Sequence, residues 1–202
     1  MRDLLSLFPH TNRTGMLMRM RFNEAKATQA AARLLRNRGG RMSYMKLIKL
    51  LYLADREALS RWGRPITTDA YVSMKHGPVL SGVLNLITEG EDPSFGQTIW
   101  AKHISEPEHF DVVLKEDSLG DLLSEAEDEL LDETFQNFGH MNRWKLVDFV
   151  HTLPEWKDPE GSAFPIEYAD ILKAQNKKPD EIRAIEGELQ SLAQMDYYLV
   201  AR

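Results

Sequence analysis

The residues of this 202-residue chain that could carry chemistry are six histidines, a run of carboxylates and scattered hydroxyls. The histidines are His10, His76, His103, His109, His140 and His151, and they form neither an HExxH pattern nor the close spacing of paired metal ligands. Nucleophilic catalysis needs a hydroxyl or thiol with a base and an oxyanion donor in reach. Ser43 and Ser81 sit in no local pattern of that kind, and cysteine is absent altogether. Its absence also removes disulfides and thiolate-bound zinc, and it suits a reducing compartment. Gly39-Gly40 follows a helical segment and reads as its stop, not as a phosphate-cradling loop. Glu125, Glu127, Asp128, Glu129, Asp132 and Glu133 read as a solvated helix face near the positive helix end. The expectation is a non-enzyme with no catalytic residue, no cofactor and no metal.

Binding chemistry is the alternative. The formal charge of -6 is unevenly distributed: residues 1–105 carry 16 Lys/Arg against 8 Asp/Glu, and residues 106–202 carry 9 against 23. Either one face meets an anionic partner, or the two halves attract each other within one fold. Arg33, Arg36, Arg38 and Arg41 cluster ahead of Lys46 and Lys49, a pattern able to track phosphates. The helix that follows is apolar on nearly every side, so it is unsuited to lie in a major groove. A DNA-binding regulator is therefore an alternative, not the main reading.

The elements that must position these residues follow from periodicity. The apolar and charged fractions, 43% and 28%, are those of a globular domain, and the length suits one sizeable core. No run approaches the roughly 20 apolar residues that span a bilayer. Ser6 and Pro9 break the first apolar stretch, so neither a secretory leader nor a membrane association is expected and the cytoplasm is the default. Residues 1–22 read as an N-terminal extension with strand-like alternation at Met16, Met18, Met20 and Phe22. The crowd of methionines leaves open whether it is native. Residues 23–202 read as one domain including the C-terminal helix.

Asn23 is placed to cap a first helix and Ser43 precedes a second, all-round apolar one that stops at Gly63. A short strand is expected over residues 70–74. Pro78 is expected to open a helix carrying Val79, Val83 and Ile87. Residues 98–103 and 110–115 read as the two strands of a hairpin, with His103 and His109 as exposed turn residues. Ser124 and Glu127 have capping-box spacing, and Asn142 caps the next helix. Pro165 and Pro179 are expected to open the last two helices, the final one with heptad-like Ile182, Ile185, Leu189, Leu192 and Leu199. That helix would dock on the body or, second, mediate self-association. The fold class is α+β: a mainly helical single domain with a small antiparallel sheet.

One stretch is more specific. Lys46-Leu47-Ile48-Lys49-Leu50-Leu51-Tyr52-Leu53-Ala54-Asp55 is followed by Gly63-Arg64-Pro65-Ile66-Thr67, then Tyr71, then His76-Gly77-Pro78-Val79. This ordered set resembles the signature of the Panacea domain, the SocA-like antitoxin family, over roughly residues 24–175. The resemblance implies an antitoxin that binds and neutralises a cognate protein toxin, usually encoded beside it, with phage defence among the roles. It also implies an alternative, an adaptor that hands the toxin to an AAA+ protease. It supplies no catalytic residue. Lys46, Lys49, Tyr52, Asp55, Gly63, Pro65, Tyr71, His76, Gly77 and Pro78 are its signature positions, structural or in partner contact.

Asp55, if turned inward, needs partners, because a buried unpaired carboxylate is costly. The His76 ring, the Tyr71 hydroxyl and backbone N–H groups near Gly77 are the candidates. Interface anchors tend to be aromatic residues and arginines. Trp100 with Lys102, on the expected wet face of the hairpin, is the first candidate for partner binding. Trp62 and Arg64 at the end of the central helix come next.

Overall fold

The computed structural model describes residues 20–89, 97–116 and 120–200. The Asn23 side chain accepts the Lys26 backbone N–H at 3.0 Å and opens α1 (Glu24–Asn37), as expected of that cap. After Gly39 and Gly40 comes β1 (Arg41–Ser43), which leads directly into α2 (Tyr44–Trp62). Leu47, Ile48, Leu50, Leu51, Tyr52 and Leu53, which together cover the whole circumference of α2, are all buried. Gly63, in the left-handed region at φ 72°, ends the helix.

Two small antiparallel sheets flank this axis. β2 (Tyr71–Met74) is the middle strand of the larger one, between β3 (Gly77–Leu80) and β5 (Phe164–Ile166). Tyr71 lies opposite both Leu80 and Ile166, and Met74 lies opposite Gly77. The smaller sheet pairs β1 with β4 (Asp111–Val113). The remaining helices are α3 (Ser81–Thr88), α4 (Ile99–His103), α5 (Glu125–Phe138), α6 (Arg143–Val150), α7 (Tyr168–Ala174) and α8 (Pro179–Val200). α2 packs against α1, α5, α6, α7 and β3. The class is α+β, and among the described residues no helix is long and apolar enough to cross a membrane.

Ser124 and Glu127 form the expected capping box on α5, and Asn142 caps α6 through the Trp144 and Lys145 N–H groups. Three expectations are corrected. Pro78 and Pro165 do not open helices: each lies in a strand, β3 and β5, at the edges of the larger sheet. An edge strand tolerates a residue that cannot donate to a neighbour. Residues 98–103 are not a strand either. Thr98 caps α4 by accepting the Ala101 N–H at 3.1 Å, and β4 pairs with the distant β1 instead. A remnant of the expected hairpin survives in the bridge between Ile104 and Leu114 and in the Lys115 N–H donated to the His103 carbonyl at 2.7 Å.

Of the alternating N-terminal residues, positions 16–19 lie outside the described residues. Met20 and Phe22 pack partly buried on the core in no strand. α8 docks through Ile182, Leu189 and Ala193, whereas Met195, Tyr197, Tyr198 and Leu199 further along are exposed.

Candidate functional site

The signature residues converge on the interior. Asp55 points inward from α2 and is fully buried. Its Oδ1 accepts the Ile66 and Thr67 backbone N–H groups at 2.8 and 3.0 Å. Its Oδ2 accepts the Thr67 and Tyr71 hydroxyls, the latter at 3.0 Å. Burial outweighs these four bonds and pushes the carboxyl up to about 6. Of the expected partners, Tyr71 is present. His76 is exposed, and the backbone donors come from the segment just after Gly63 instead of from Gly77.

Lys46 and Lys49, one helical turn apart, both face inward and donate to main-chain carbonyls. Lys46 Nζ reaches the Gly139 oxygen at 2.5 Å, and Lys49 Nζ reaches the Pro78 oxygen at 2.6 Å. Burial lowers the Lys49 ammonium to about 7. The Tyr52 hydroxyl donates to Glu155 Oε1 at 3.0 Å, and Arg56 Nε donates to the same oxygen at 2.6 Å. Pro65 is buried beside this hub. Gly77, at φ 93°, permits the two-residue Lys75-His76 turn between β2 and β3. A Cβ there would lie 2.5 Å from Val150 Cγ2. The hub thus ties α2 to the loop before β2, to β3 and to the segments after α5 and α6.

A second carboxylate, Asp69, accepts the Ala70, Gly82 and Val83 N–H groups and is pushed up to about 7 by burial. It borders a cavity of about 90 Å³ shared with Tyr168 and Leu189. That volume suits a few waters and falls well short of the roughly 300 Å³ of a small ligand pocket.

The two oppositely charged halves of the chain attract each other in the fold. Lys26 pairs with Glu127 at 2.6 Å, Arg33 with Asp132 at 2.5 Å, Arg41 with Asp111 at 3.0 Å and Arg61 with Glu133 at 2.8 Å. The carboxylates of α5 are therefore not simply a solvated face: Glu127 is buried, and Asp132 is bound by Arg33 and Asn37. Arg33 and Arg41, half of the expected phosphate-tracking cluster, are engaged in these pairs.

The partner-binding candidates separate. Trp62 is 37% exposed and Arg64 is exposed, side by side at the C-terminal end of α2. Lys102 is exposed on α4. Trp100 is corrected: it is 2% exposed, packed where α4 meets α1, with its backbone N–H donating to Glu24 Oε1. His103 is buried as well, its Nδ1 2.9 Å from the Glu116 carbonyl oxygen, whereas His109 is exposed.

Sequence reasoning missed one surface cluster. Phe110 is 60% exposed and Trp144 is 50% exposed. The Arg143 guanidinium carbon lies over both rings, 5.5 Å from the first centroid and 5.4 Å from the second. The His76 ring meets Trp144 edge-on at 5.8 Å, and Tyr44 flanks Phe110 at 6.4 Å. The legible signal is Trp144 itself, which falls off the helical stripe of Leu146, Val147 and Val150.

By its fold and contacts this is a helical α+β scaffold domain, tied together by a buried polar hub. The family model described as "Antitoxin SocA-like, Panacea domain" matches residues 47–157, just over half of the chain. The chain belongs to that family. The match spans the hub from Lys49 to Glu155 and omits α1 and α8. No curated protein and no solved structure matches the chain.

Proposed function

We propose that this chain is an antitoxin that neutralises a cognate protein toxin by direct contact, covering the toxin's active surface without turnover. Membership of the SocA-like antitoxin family carries this reading. The roles of the signature side chains support it. Asp55, Lys49, Tyr52 and Tyr71 hold segments of the chain together, and none of these four is exposed to activate a substrate. A scaffold ordered before the encounter loses little conformational freedom on binding, which favours tight association. The protein would act in the cytoplasm, beside the toxin's target. Delivery of the toxin to an AAA+ protease would use the same contact.

The test expresses the adjacent open reading frame alone and with this chain, in hosts carrying or lacking their AAA+ proteases, and scores growth. A neighbour toxic alone and harmless with this chain in both hosts is the expected result. Rescue only where the protease is present replaces occlusion by delivery. A neighbour that is harmless alone overturns the antitoxin reading.

A further inference from the structure

We propose that the surface cluster of exposed Phe110, Trp144 and His76 around the half-buried Arg143 docks the protein partner, which meets it with a carboxylate set among flat apolar side chains. The inference deepens the antitoxin reading and rests on it for the partner's identity. Three segments far apart in sequence build the cluster: the turn before β4, the first turn of α6, and the β2–β3 turn. Its composition, tryptophan, arginine and other aromatics, is that of interface anchors, which sit at the centre of protein contacts.

Arg143 is the informative member. Among the described residues it makes no ion pair, although Lys26, Arg33, Arg41, Arg56 and Arg61 all do. Its guanidinium lies over two aromatic rings, and among the described residues its N–H groups have no acceptor. A guanidinium restrained in this way is prepared for a carboxylate, because little rotamer freedom remains to be lost. Lys75 and Lys145, next in sequence to His76 and Trp144, are exposed and make no ion pair among the described residues.

The backbone under Phe110 points the same way. His109 and Phe110 are consecutive non-glycine residues at φ 51° and 71°. Such a conformation is strained and persists where neighbouring contacts impose it, often at binding surfaces. Here the Phe110 carbonyl accepts the Tyr44 N–H at 3.0 Å, and Glu108 and Asp111 exchange backbone bonds across the turn. The result holds a phenyl ring out in water.

A nucleic acid is the less fitting occupant. Arg143, Lys75 and Lys145 do not make the continuous cationic groove that tracks a phosphate backbone.

The experiment uses the full chain and the purified product of the adjacent reading frame, with affinity read by calorimetry and folding by urea denaturation. Trp144→Ala and Arg143→Ala should each weaken binding by about 30-fold or more, the effect of losing an interface anchor. Arg143→Lys should recover only part of the loss, because a lysine lacks the planar fork. Leu122→Ala, an exposed apolar side chain between β4 and α5, should bind as the parent does. The urea midpoints of the Arg143 and Trp144 variants should match the parent. Parent-like affinity in both overturns the surface assignment and leaves the antitoxin reading intact. A parent protein that does not bind the neighbour's product overturns that reading and this inference with it. Tight, salt-sensitive binding of a labelled single-stranded oligonucleotide, lost in Arg143→Ala, would make the cluster a phosphate site and also overturn the proposal.

Discussion

Tyr71 on β2 donates its hydroxyl proton to Asp55 on α2 at 3.0 Å, in a site where both side chains are buried. This bond joins the central helix to the middle strand of the larger sheet. Around it Asp55 also gathers Ile66 and Thr67, so one carboxylate sets the path of the chain between α2 and β2. Asp55→Ala leaves four buried donors without an acceptor and is expected to cost about 3–5 kcal/mol. Asp55→Asn keeps an acceptor for the two backbone N–H groups and should fall between Ala and the parent. Urea midpoints rank the three proteins.

The pH dependence has two opposite limbs. Burial raises Asp55 to about 6 and Asp69 to about 7, against an unfolded value near 3.9. The folded chain therefore holds these protons more tightly. Their contribution to stability is present in full below about pH 4 and is lost as pH rises through 6 to 7. Lys49 is lowered to about 7 from 10.5, so above pH 7 the unfolded chain binds the extra proton and stability rises with pH. Urea midpoints measured from pH 4 to pH 10 should show both limbs. Asp69→Asn should shrink the first limb to the share of Asp55, and Lys49→Met should flatten the second.

Glu155 accepts from Tyr52 and Arg56 with its own side chain fully buried. Tyr52→Phe removes one neutral donor and should cost about 1 kcal/mol. Glu155→Ala strands a largely buried guanidinium as well as the phenol, so about 3–5 kcal/mol is expected. Equal effects in equilibrium unfolding would contradict this hierarchy.

Gly77→Ala meets two penalties at one position, a left-handed φ of 93° and a Cβ placed 2.5 Å from Val150 Cγ2. Together they should cost about 3 kcal/mol or more, or roughly 6–12 °C in Tm for a chain of this size. Adding Val150→Ala relieves the clash and not the φ, so recovery should be partial at best in the same melting experiment.

The Arg33–Asp132 pair joins α1 to α5 through two hydrogen bonds, yet both side chains are about one-third exposed. Solvent screening limits such a pair to about 0.5–1 kcal/mol. A double-mutant cycle with Ala at both positions should give that coupling at low salt and lose most of it at high salt.

Much of the fold is legible locally because caps and stops act within one turn. Asn23, Ser124 and Asn142 each bond N–H groups two or three residues ahead, and Gly63 ends α2 by its own φ. The inward turn of Asp55 follows from the apolar circumference of α2, and Tyr71 is among its foreseeable partners. Ile66 and Thr67 are not, since their N–H groups reach Asp55 only after the chain folds back beyond Gly63. Trp100 illustrates the opposite failure. Five residues are too few for a helical period to show against strand-like composition, and the Thr98 cap is the remaining sign.

The sequence alone determined the family signature, the buried central helix and most helix starts, because each depends on residues within a few positions of one another. Tertiary structure decided whatever depends on distant neighbours. Pro78 and Pro165 became strand residues because the topology makes β3 and β5 edges, a property no local window contains. The two charged halves became a set of internal ion pairs, and β4 found its partner in β1 instead of in the segment just before it. The cluster of His76, Phe110, Arg143 and Trp144 likewise exists only once three turns are brought together. Side chains separated by tens of residues share no periodicity that a linear reading could detect.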